Sequence, residues 1–137
     1  MTLKERLKEH EGFKAEPYRD DRGNWTIGHG HFLGNGQVCK ISLQVADLIL
    51  DEDIHLATFQ YDSLGLDLDN VRRDVCINMI FWHGLAGFML FEKMLHALEY
   101  GNWNKAADEM MDSNSGREYK TRMSELSDLM RNGKENI

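Results

Sequence analysis

The sequence contains a single proline, two cysteines and no apolar run approaching the roughly 18 residues of a membrane span. Each scarcity removes a class of protein. With one proline and no stretch rich in Pro, Gly or Ser, no segment has the composition of a linker, and 137 residues read as one folding unit. Cys39 and Cys76 have neither CxxC spacing nor a disulfide-rich setting, so two reduced thiols are expected. The opening Met1-Thr2-Leu3-Lys4-Glu5-Arg6 alternates charge with apolar residues and has no secretory h-region, so synthesis and folding in the cytoplasm are expected. Positive charge is also short. A net charge of −7 removes the broad attraction on which nucleic-acid binding relies, and no DNA or RNA partner is expected.

What is present is the composition of a globular chain, 42% apolar and 28% charged. Leu3 and Leu7 stand four apart behind Thr2, with Glu5 three residues after it, which predicts a capping-box helix over 2–11 stopped by Gly12. From Phe13 to Gly36, glycines at 23, 28, 30, 34 and 36 punctuate short segments such as Trp25-Thr26-Ile27, the pattern of a small antiparallel meander. Ser42 then caps a predicted helix to about Tyr61, with Val45, Leu48, Ile49, Leu56 and Phe59 on its apolar face. After Gly65, Asp67 and Asp69 comes a buried helix carrying Val71, Val75, Met79 and Ile80, broken at Gly84 and Gly87. Three further helices are predicted over 88–100, 103–111 and 118–132, separated at 101–102 and 113–116, with Gly133 as the last cap.

The expected fold is therefore α+β. It has a β lobe at about 12–40, a connecting helix at about 42–61, and a helical lobe at about 63–137 that includes the N-terminal helix 2–11. A cleft between two such lobes is a natural place for a ligand.

Cleavage of a glycosidic bond needs one carboxylic acid to protonate the leaving oxygen and a second carboxylate to activate water or attack the sugar. Glu11 at a helix end and Asp20 in a hairpin offer such a pair. Spacing alone selects nothing, because 23 acidic residues populate the chain and most such groups solvate a surface.

The flanking residues are more specific. Glu11-Gly12-Phe13, Tyr18-Arg19-Asp20 and Gly23 to His31 together read as a Glu, eight residues, an Asp, five residues, and a Thr within T-I-G-x-G-H. This closely resembles the signature of the phage-type lysozymes, the endolysin muramidases. Leu68 to Arg73, Ile77 to Phe81, Gly87-Phe88, Trp103 to Ala107 and Arg131-Asn132-Gly133 extend the similarity over nearly the whole chain.

The resemblance implies a lysozyme-like fold. It also implies hydrolysis, without a cofactor or metal, of the β-1,4 bond between N-acetylmuramic acid and N-acetylglucosamine in peptidoglycan. Glu11 would be the general acid, and Asp20 with Thr26 would position the attacking water, with inversion at the anomeric carbon. Gly30, Phe32 and Phe81 match substrate-binding positions, while His31 would pair with Asp53 and Arg122 would lie against Glu11 as structural supports. Burial would raise the Glu11 pKa whereas that arginine would lower it, and the two effects oppose.

A monomer is expected, acting from the host cytoplasm on the cell wall once another protein has permeabilised the membrane. Because peptidoglycan is anionic, the acidic chain gains no electrostatic steering toward it.

Alternatives accompany several residues. His29 and His31 on one strand, with Asp53, would be a metal site instead. Thr26 on its own is simply a β-branched strand former. Phe88, Phe91 and Trp103 read as core, and Trp82 fits core or cleft. Phe91 and Glu109 stand where close relatives commonly carry a Ser and an Asn, the 32–41 segment is short, and Ser113 to Gly116 replaces a tryptophan-rich stretch. These departures suit a catalytically weak lysozyme-like module that binds glycan or protein. A lytic transglycosylase, which needs no water-positioning Asp, is a second rival.

Overall fold

A computed structural model describes residues 1–34 and 40–134. The chain divides into two compact units, Met1–Leu56 and Ala57–Ile137.

The first unit opens with α1, Leu3–Glu11, whose start is fixed by the reciprocal bonds of a capping box: the Glu5 amide donates to Thr2 Oγ1 (3.1 Å) and the Thr2 amide to Glu5 Oε2 (2.9 Å). Gly12, at φ +69°, ends it and donates its amide back to the Lys8 carbonyl. Strands β1 (Lys14–Arg19), β2 (Trp25–Gly28) and β3 (His31–Gly34) form an antiparallel sheet in the order β1-β2-β3. Thr26 on the central strand faces Tyr18 on one side and Phe32 on the other. Helix α2, Leu43–Asp62, starts beside Ser42, whose Oγ accepts the Val45 amide at 3.2 Å.

The boundary between the units falls within α2, and the expectation for this helix is corrected. The apolar stripe chosen for α2 is on its outer side: Leu48, Leu56 and Phe59 are 65%, 58% and 73% exposed, and Val45 is exposed too. The buried stripe is Ala46, Leu50, Ala57 and Tyr61. Both sets obey helical spacing, so periodicity could not choose between them. Close approach of β2 decides, since a Cβ on Gly28 would lie 3.2 Å from the Ala46 Cβ, a fit that only small residues permit. Helix α1 lies in the same unit as the strands, and Lys4–Asp51 and Lys8–Asp47 ion pairs of 2.8 Å tie it to α2.

The second unit holds α3 (Asn70–Met89), α4 (Glu92–Glu99), α5 (Trp103–Met111), α6 (Asn114–Glu118) and α7 (Lys120–Asn132). Asp69 and Asn102 cap α3 and α5 with their side chains, and Gly133 in the left-handed region closes α7. Gly84 breaks α3 as expected, at φ +74°, but Gly87 stays inside the helix. The helix expected over 88–100 is interrupted at Leu90 and Phe91, so that α4 begins only at Glu92. The expected separator 113–116 contributes to α6, because the Ser113 hydroxyl accepts the Gly116 amide and nucleates a turn. Gly116 is there for close approach: a Cβ would stand 2.4 Å from the Met110 carbonyl oxygen.

Val75, Ile77, Met79, Ile80, Phe88 and Met94, with Met110, Met123, Leu126 and Met130, fill this unit's core. Cys76 lies among them, its thiol pushed up to about 12 by burial, while Cys39 lies outside the described residues. No single helix among the described residues is long and apolar enough to cross a membrane.

Candidate active site

Glu11 ends α1, and the β2–β3 turn closes over its carboxylate. A Cβ built on Gly30 would stand 2.6 Å from Glu11 Oε2 and 2.7 Å from its carboxyl carbon, and Gly30 is at φ +75°. Glycine is required at this position by both space and backbone angle.

Asp20 closes the β1–β2 turn. Its Oδ1 accepts the amides of Arg22 (2.9 Å) and Asn24 (2.8 Å), and its own amide donates to the Asn24 carbonyl. One carboxylate oxygen thus sets the turn while Oδ2 is not used by it. Thr26 is 4% exposed and donates its hydroxyl proton to the Asn24 carbonyl at 3.1 Å. The lone pairs of Oγ1 are consequently the part left to accept from a water.

Tyr18, opposite Thr26, belongs to the Tyr18-Arg19-Asp20 motif, in which no site role of its own is expected for it. Burial raises its pKa first, and the negative charges of Glu11, Asp20 and Asp21 add to the shift. The raised pKa keeps the half-buried phenol in its neutral form.

The structure brings His31 and Asp53 together, with Nδ1 donating to Oδ2 across 2.7 Å. The metal alternative does not assemble. His29 lies in the turn after β2 rather than on a strand with His31, and it engages the Gly12 carbonyl and Asp47. Among the described residues no three His, Cys, Asp or Glu side chains converge as a metal site.

Phe32 is 62% exposed on β3, beside Thr26. The remaining expected residues belong to the second unit. Phe81 is half-buried on α3, and Arg122 on α7 stacks over Trp82 at 4.3 Å while donating to Asn78 Oδ1 at 3.2 Å. Trp82 also packs edge-on against Tyr119. Phe91 and Glu109, the two departures, line one recess of about 270 Å³ with Leu90, Met94, Asp112 and Ser113. There Glu109 pairs with Lys105 at 3.1 Å.

The family model for phage lysozyme matches residues 8–131. Among curated proteins the chain is 27% identical to a probable T4-type lysozyme 1 of Dictyostelium discoideum, over 82% of this chain and 83% of that one. It is 29% identical to an endolysin of Acyrthosiphon pisum secondary endosymbiont phage 1, over 77% and 72% of the two chains. It is also 25% identical to the pre-baseplate central spike protein Gp5 of Enterobacteria phage T4, covering 97% of this chain but 28% of that protein. The model match spans Glu11, the sheet and every helix of the second unit, and the chain belongs to the phage lysozyme family.

Proposed function

We propose that this chain is an endolysin-type lysozyme that hydrolyses the β-1,4 bond between N-acetylmuramic acid and N-acetylglucosamine of bacterial peptidoglycan. Glu11 gives its proton to the leaving oxygen, and Asp20 Oδ2 with Thr26 Oγ1 holds the water that attacks the anomeric carbon from the opposite face. The outcome is inversion. Phe32 offers an exposed ring to the sugar from the same sheet. The proposed setting is the host cytoplasm, with access to the wall after a separate protein opens the membrane.

The observation that carries this reading is the seating of the Glu11 carboxylate against Gly30 at the end of α1, in the same unit as Asp20 and Thr26. One carboxylate packed on Gly30, and another whose Oδ1 holds its turn while Oδ2 stays outside those bonds, support the reading of an acid and a base. The test is clearing of outer-membrane-permeabilised Gram-negative cells by the protein beside its Glu11→Gln variant, with the anomer of the released sugar followed by NMR. Clearing that disappears in the variant and an inverted product are expected. Binding to insoluble peptidoglycan without release of reducing sugar would turn the assignment into a glycan-binding module, and anhydro-muramic ends would make it a transglycosylase.

A further inference from the structure

We infer that His29 is the positioning residue for Glu11, an inference that rests on reading Glu11 as the acid. Residue 29 is the position that the T-I-G-x-G-H pattern leaves open, so the family signature does not ask for a histidine there. In a turn between two short strands a polar side chain ordinarily faces water. This one is 5% exposed, and such burial costs free energy unless its ring nitrogens are engaged.

Nδ1 is hydrogen-bonded, and Nε2 faces a carboxylate. Nδ1 lies 2.7 Å from the carbonyl oxygen of Gly12, the residue that follows Glu11. A carbonyl oxygen only accepts, so Nδ1 carries the hydrogen. Nε2 lies 3.3 Å from Asp47 Oδ1 on α2, close but not aligned as a hydrogen bond. Asp47 is in turn held by Lys8 at 2.8 Å and Lys4 at 3.8 Å, both from α1, and the bond to Lys8 is the largest influence holding its carboxyl below the usual range. With Nδ1 committed as donor to Gly12, Nε2 is the ring atom left facing Asp47. The Phe13 ring covers the imidazole at 5.6 Å.

The consequence concerns Glu11. The ring of residue 29 grips the carbonyl of Gly12, the residue that follows Glu11, and the residue just after the ring, Gly30, is the surface against which the Glu11 carboxylate rests. The end of α1, the β2–β3 turn and α2 are pinned together at one side chain. Glu11 is thereby fixed in direction, and a misplacement of about 1 Å is enough to cost up to ~10²-fold in rate.

His29→Leu fills the same space without a donor, whereas His29→Gln keeps an amide able to reach the Gly12 carbonyl. The measurements are kcat and KM on soluble peptidoglycan fragments and the ¹³C resonance of the Glu11 carboxyl, after thermal unfolding shows which variants fold. The Leu variant is expected to lose on the order of tenfold in kcat with KM within about twofold, and its Glu11 resonance should move. The Gln variant is expected to keep at least about a third of kcat and a near wild-type resonance. A Leu variant with unchanged kcat and resonance overturns the proposal. If Leu does not fold, a folded Gln variant that has lost tenfold overturns it, and one that retains kcat upholds it. If even the wild-type chain fails to cleave glycan, the enzyme reading falls while the Glu11 resonance still decides whether His29 positions that carboxylate.

Discussion

The two units are held together by different means. Among the described residues the first unit buries the apolar side chains Leu7, Ile27, Ala46 and Leu50, and it also buries two polar ones, Thr26 and His29. The second buries a much longer set, in which Met79, Met94, Met110, Met123 and Met130 interleave with Ile77, Ile80, Phe88 and Leu126. Fully burying one such side chain contributes about 1.5–3 kcal/mol, so apolar burial dominates the second unit far more than the first.

The first unit relies instead on connections: the capping box of α1, the Asp20 turn, Lys4–Asp51, Lys8–Asp47 and His31–Asp53. Exposed pairs of this kind contribute ~0–1 kcal/mol each. The acids and the threonine proposed for the chemistry all lie in this unit, where polar groups are kept directed rather than replaced by core. The lesson is a division of labour between a unit that is stable and a unit that is arranged.

The strongest break in that comparison is Glu11→Gln. It should lower turnover by about 10²-fold or more while leaving the melting temperature nearly unchanged, as checked by reducing-sugar release and calorimetry. Two glycine substitutions then probe the units against each other. Gly30→Ala places a methyl within 3 Å of the Glu11 carboxylate at a left-handed backbone angle, so activity should fall more than stability does. Gly116→Ala drives a Cβ into the Met110 and Met111 carbonyls, and should cost about 1–3 kcal/mol in denaturant titrations while protein that remains folded turns over normally.

Next comes Arg72→Leu. The guanidinium donates to the carbonyls of Met130 (2.6 Å) and Arg131 (3.0 Å) at the end of α7, pairs with Asp69 at 2.9 Å and stacks over Trp103 at 4.3 Å. Removing it should destabilise the second unit by about 1–3 kcal/mol in urea unfolding, since carbonyls at a helix end lose their donor.

The smallest expected effect is acid sensitivity at Asp69. Burial pushes this carboxyl up, but the Arg72 side chain and backbone amide bonds outweigh it, and its pKa is lowered overall. A lowered folded-state pKa gives stability that is present above the ordinary carboxylate value, about 4, and is lost as pH falls through the folded value. Asp69→Asn, which keeps a capping side chain, should therefore be less stable than wild type near pH 7, and the gap should close on acidification. An unfolding series over pH 2–7 measures it.

How much of this was legible beforehand depended on the range of each signal. Thr2 with Glu5, Ser42, Asp69, Asn102 and Gly133 act within four residues of themselves, and each stands where the spacing places a helix end. The Glu, Asp and Thr of the candidate site are singled out by the resemblance to the family pattern, since spacing alone does not separate them from the other acids and strand formers. Misjudgements came where local patterns allow two solutions. Gly87 looks like a breaker but stays helical, and Gly116 looks like a breaker but is a contact.

Sequence by itself determined the order of elements, most of their ends, the α+β class and the family pattern, because caps, turns and hydrophobic period are short-range chemistry. Tertiary structure decided which of two apolar stripes of α2 is buried, through the Ala46–Gly28 approach. It also decided that His29 turns to Asp47 while His31 takes Asp53, and that Arg72 reaches carbonyls 58 and 59 residues away. Those choices depend on which surfaces meet once the chain has closed, and no spacing along the chain encodes the distance between them.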